Sequence, residues 1–96
     1  MIMKSIWNQY PMYSKNLGDV SMHPNDIEEF YMWLVTSRRY SFTYAGSIVS
    51  HIKLLIKYGI PLNEDFVRSL LWHENKYLRR NYVKAVREYN RWLEER

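Results

Sequence analysis

Between Lys76 and Leu93 the chain alternates two kinds of residue with a period that only an α-helix satisfies. Wound at about 100° per residue, Lys76, Arg80, Lys84, Arg87 and Arg91 fall inside an arc of about 80°, while Leu78, Tyr82, Val86, Tyr89 and Leu93 gather on the opposite side. A helix divided in this way buries the apolar stripe and displays the cations. The displayed ridge sets five positive charges along about 22 Å of axis, at about 1.5 Å per residue. Glu88 falls only at its edge, so the usual i,i+4 carboxylate partners are largely missing.

One amphipathic helix needs others to pack on, and the rest of the chain repeats the same period. With three glycines and three prolines in 96 residues there is little room for the many turns of a β-sandwich or barrel. Pro24-Asn-Asp-Ile-Glu-Glu29 opens a first helix, with Asn25 as its cap, Glu28 three residues on and Asp26 at the positive dipole end. Ile27, Phe30, Tyr31 and Leu34 then recur on one face. The pattern breaks from Thr36 to Ser41. A second helix, about Thr43 to Tyr58, turns Ile48, Ile52, Leu55 and Ile56 inward and stops at Gly59-Ile-Pro61. Asn63, with Glu64 and Asp65, starts a third, whose inward residues are Phe66, Val67, Leu70 and Leu71. A polar break at His73-Glu-Asn75 precedes the fourth, about Lys76 to Glu95.

The expected fold is therefore all-α, a four-helix bundle of two helical hairpins spanning residues 23–96. Ile48, Ile52, Leu55 and Tyr58 are echoed by Tyr82, Val86, Tyr89 and Trp92 at an offset of 34, the length of a tetratricopeptide repeat. That signature's small-residue positions are missing, and two units make a poor solenoid. Residues 1–22, with Trp7, Tyr10, Pro11 and Tyr13, lack clear periodicity and are read as an arm or a short helix.

Charge is unevenly divided. Residues 1–36 carry two lysines against four carboxylates, a net −2, whereas residues 37–91 carry eleven basic residues against four carboxylates, a net +7. A concentrated positive half points to a polyanion, nucleic acid before an acidic membrane surface. The second helix adds Thr43, Gly46, Ser50, Lys53 and Lys57 on its non-core side, where small hydroxyl residues beside lysines let a phosphate backbone approach. No cysteine is present, which excludes disulfides, thiolate zinc sites and cysteine nucleophiles. Three histidines without i,i+4 pairing make a poor metal site, and no Gly-rich phosphate loop occurs, so no metal or cofactor is expected. The apolar runs are too short to span a bilayer and the first residues too polar for a signal peptide, so an intracellular location is expected.

Asp26-Ile-Glu-Glu-Phe-Tyr-Met-Trp-Leu34, Tyr40-Ser-Phe-Thr-Tyr-Ala-Gly-Ser-Ile48 and Ile52-Lys-Leu-Leu55 together resemble the core-binding (SAM-like) domain of tyrosine recombinases, the phage-type integrases. Leu78-Arg-Arg-Asn-Tyr82-Val-Lys-Ala-Val86-Arg-Glu-Tyr89-Asn-Arg-Trp-Leu93 is similar to that family's "T-x-R-N-Y-x-x-A-L-R-x-F-x-R-W-L" helix. Leu78 stands where Thr is usual, and Ile48 where the first hairpin usually has Tyr. Ile27-Glu-Glu-Phe-Tyr31 is particularly similar to integrases of archaeal viruses and plasmids. The resemblance covers about residues 25–96 and rests mostly on packing positions.

It implies a helical domain that clamps duplex DNA opposite a separate catalytic domain, with the second helix of each hairpin facing the DNA at a recombination site. The expected DNA contacts are Lys53, Lys57, Lys76, Arg79, Arg80, Lys84, Arg87 and Arg91 to phosphates, with Thr43, Ser47 and Ser50 orienting the helix by hydrogen bonds. The family's catalytic pattern is missing, since none of His23, His51 and His73 is followed by Arg at the required spacing. The expectation is thus a non-catalytic piece of a longer integrase, associated with DNA and able to oligomerise on it. Two other readings stay open. One is a protein-interaction adaptor using Trp33, Trp72 and Tyr77. The other is a small viral or plasmid helix-turn-helix regulator, reading bases near the start of its second helix.

Overall fold

The computed structural model describes residues 24–96, which form four helices in the order α1 (Pro24–Thr36), α2 (Phe42–Lys57), α3 (Glu64–Leu70) and α4 (Lys76–Glu95). The fold is all-α, a four-helix bundle, as the periodicity predicts. The arm or short helix expected for residues 1–22 lies outside the described residues.

Local chemistry sets the helix ends. Pro24 occupies the first helical position of α1, where its missing N–H costs nothing. Asn25 therefore lies inside the helix and is not its cap. After α1 the chain turns through Arg39 in the left-handed region (φ 59°), and Ser41 caps α2 by accepting the Tyr44 N–H at 3.1 Å. At the other end Gly59 takes φ 71°, which a Cβ would penalise. Its N–H donates to the Ile56 carbonyl at 3.1 Å and that of Ile60 to Leu55 at 2.9 Å, so a Schellman motif closes α2. Ile60 and Leu55 are both buried, adding the apolar contact typical of that motif. Asn63 caps α3 through the Phe66 N–H (2.9 Å) and Asn75 caps α4 through the Tyr77 N–H (2.8 Å).

The core gathers Phe30 and Leu34 from α1, five residues of α2 from Ala45 to Leu55, Val67 and Leu71 from the α3 region, and Tyr82, Val83, Ala85, Val86 and Trp92 from α4. Phe30 meets Tyr89 edge-on at 5.5 Å and Trp92 at 5.4 Å, a geometry that adds attraction beyond area burial. Two expected core positions and one expected surface position differ. Phe66 is 36% exposed because the seven residues of α3 turn only Val67 fully inward. Leu93 is 40% exposed, and Trp92 takes the inward position in that turn. Trp33, expected as a surface aromatic, packs on the core and stacks on Phe30 at 6.3 Å.

Helix α4 is the hub, packed against α2, α3 and α1. Neighbours on three sides bury more of its circumference than one apolar stripe, and Val83, Ala85 and Glu88 go inside with it. None of the described helices is long and apolar enough to cross a membrane.

Candidate nucleic-acid interface

The burial of Glu88 organises the cationic side of α4. Only 2% exposed, it accepts two bonds from the Arg38 guanidinium, Nε to Oε2 at 2.9 Å and Nη2 to Oε1 at 3.0 Å. The Tyr40 hydroxyl donates to Oε1 at 2.9 Å. A buried carboxylate needs such paired donors, and a forked guanidinium supplies two in one plane. The hydrogen bond to Glu88 is the main reason the Arg38 pKa is raised above the ordinary arginine value, against a desolvation that lowers it. This contact joins residues 50 apart in the chain and ties the α1–α2 loop to the middle of α4.

Lys84 sits next to that network, half-buried, with its ammonium 5.1 Å from the Tyr44 ring centre and 5.3 Å from that of Tyr40. Its pKa is raised, first by hydrogen bonding to the Tyr44 side chain and further by electrostatic interaction with Tyr44, Tyr40 and Glu88; partial burial works the other way. Lys84 is thus a fixed cation, seated between aromatic faces and a carboxylate.

A groove of about 480 Å³ runs along α4 beside α3, lined by Arg68, Lys76, Arg79, Arg80, Lys84 and Arg87 with Val83 at its floor. Five of these six cations are among the expected contacts. Arg68 is new: it lies outside α4, and only the packing of α3 on α4 brings it in. Its guanidinium donates to Asp65 at 2.8 Å and lies 3.9 Å from Glu64. Arg87 is not the unpaired cation that the helical period implies, since its Nε donates to Glu64 at 3.1 Å from the neighbouring helix. Lys76 and Arg80 form no ion pair among the described residues. Counting Glu64 and Asp65 against six cations leaves the groove at net +4.

The other expected contacts lie apart from this groove. Arg91 is exposed further along α4 and does not line it. Thr43, Ser47, Ser50, Lys53 and Lys57 are all exposed on the outer face of α2, and none of them reaches the groove lining. The Ser47 carbonyl is taken by His51 Nδ1, whose ring rests on Tyr82 at 4.3 Å. At the start of α4, where a helix-turn-helix regulator would read bases, two of the polar residues make contacts within the chain while Lys76 and Arg80 stay exposed. Asn75 caps the backbone, and Arg79 donates to the Trp72 carbonyl at 3.0 Å.

Among the described residues no three of His, Asp and Glu cluster in a metal-holding arrangement. Comparison with protein-family models, with curated proteins and with solved structures finds no match to the chain.

Proposed function

We propose that this chain binds double-stranded DNA by its phosphate backbone, as a core-binding-type domain working beside a separate recombinase catalytic domain. The observation that carries the reading is the groove of net +4 along α4 and α3, in which Arg68 and Arg87 are oriented by Glu64. Fixed guanidinium groups suit phosphate, because planar N–H donors meet its oxygens in pairs. The polar outer face of α2, with Thr43, Ser50, Lys53 and Lys57, offers a second, weaker contact, and phosphate contacts of both kinds set position on the duplex. The sequence resemblance to integrases supplies the recombination context, in which cleavage and rejoining of DNA belong to the companion domain.

The test is fluorescence anisotropy of the full chain on a random-sequence duplex, compared with the Lys76→Glu/Arg80→Glu variant. These two cations are exposed and carry no ion pair among the described residues, so reversing them leaves the fold standing. The expected outcome is a loss of binding of about 100-fold or more at low salt. Equal affinity for the reversed variant would remove the groove from the account and leave the outer face of α2, or another class of partner, as the interface.

A further inference from the structure

Two large aromatic side chains stand in water at one corner of the bundle, where the chain turns from α3 into α4. Trp72 is 63% exposed and Tyr77 is 61% exposed. Neither is a bare apolar group. The Arg79 guanidinium lies 5.1 Å from the Trp72 ring centre while its Nη1 is anchored on the Trp72 carbonyl. Lys76 and Arg80 sit 5.4 and 6.0 Å from the Tyr77 ring centre. These three cations are also half of those that line the phosphate-sized groove, so rings and groove share one set of charges. A ligand covering the whole corner has to be flat and aromatic on one part and anionic on the adjoining part. A nucleotide has that form, with its base on a ring and its phosphate on the neighbouring cation. Paired bases within a duplex present only their edges, so the base that stacks here must be unpaired.

We propose that Trp72 and Tyr77 form a base-stacking platform at the end of the groove, which takes an unpaired nucleotide continuous with the strand lying along α4. The proposal rests on the DNA-binding reading above and narrows its partner to duplex with a single-stranded end, flap or opened step. Arg79, fixed at both the carbonyl and the ring of Trp72, pre-positions the indole and spares it ordering cost when the base arrives.

The experiment compares the full chain on a blunt duplex, on the same duplex carrying a short unpaired tail, and on phosphatidylserine/phosphatidylcholine vesicles. Binding is read by anisotropy, and by the Trp72 share of the tryptophan emission, taken as the difference from the Trp72→Leu variant, which keeps the other three tryptophans. The tail should tighten binding about tenfold and quench the Trp72 emission, as stacked bases do. Trp72→Leu/Tyr77→Leu should abolish that gain while keeping blunt-duplex affinity within about twofold, and Trp72→Phe should retain most of it. A tail that adds nothing, or whose gain survives the double variant, overturns the platform and leaves duplex binding in place. Failure to bind either DNA removes both readings. Vesicle binding that depends on the two rings and exceeds that of tailed DNA makes the corner a membrane contact and overturns the proposal as well.

Discussion

Glu88 and Arg38 give the sharpest stability test, because the two partners differ so much in exposure. The carboxylate side chain is 3% exposed and the guanidinium 32%. Charge-assisted hydrogen bonds contribute about 1.5–3 kcal/mol each, and an orphaned buried charge costs about 3–5 kcal/mol. Arg38→Met leaves the buried carboxylate with only the Tyr40 hydroxyl, so it should approach that penalty, at about 3 kcal/mol. Glu88→Gln leaves a guanidinium that water reaches and retains one acceptor oxygen, so its cost should be smaller, about 1.5–2 kcal/mol. The double variant, with neither charge, should be no worse than Arg38→Met alone, giving a coupling of at least about 1.5 kcal/mol. Urea unfolding followed by far-UV circular dichroism measures all four corners of the cycle. Losses below about 0.5 kcal/mol for both single variants, or no coupling, would place the pair among surface ion pairs that stabilise little. The reasoning about the buried network would then be wrong.

Other outcomes follow from single contacts. Phe30→Ala removes a fully buried ring that meets Tyr89 and Trp92, and should cost about 3–5 kcal/mol in the same unfolding assay. Asn75→Ala removes the cap of α4 and should cost about 1 kcal/mol, whereas Asn75→Ser should restore most of it. Stability should fall as pH rises above about 10. The pKa of Lys84 is raised by the hydrogen bond to Tyr44, so its contribution is complete below the ordinary lysine value and disappears as pH passes the raised one. The Tyr89 pKa is raised by burial and then by Asp26, so the unfolded chain loses that proton first and alkali favours unfolding. Urea midpoints across the alkaline range should decline less steeply in Tyr89→Phe; an identical decline would remove Tyr89 from the explanation.

What the sequence made legible was mostly local. The bounds of α4, the break before it, the start of α3 at Asn63 and the stop at Gly59 each depend on a few adjacent residues, and the structure has them where the pattern places them; the cap at Asn75 was not read from the pattern. Inward faces were readable where a single apolar stripe meets the core, as at Ile48, Ile52 and Leu55 on α2, and less so on α4. There a position near the cationic edge, Glu88, becomes interior because neighbours close in on three sides. No local signal announces that Arg38, 50 residues earlier, will pair with it. The same limit applies to the groove. Period identified Lys76, Arg80, Lys84 and Arg87 as one ridge, but only the docking of α3 could add Arg68 and give Arg87 its partner Glu64. Lys53 and Lys57 share polarity with the ridge without sharing its groove, a distinction that a helical wheel cannot draw.

Groove cations that neutralise phosphates, as proposed, release counterions from the duplex, and the salt dependence of binding reads this out. A net of about four charges predicts a slope of log affinity against log salt near −4, falling to about −2 when Lys76 and Arg80 are both replaced by alanine. A slope near zero, or one that the two replacements leave unchanged, would contradict the account.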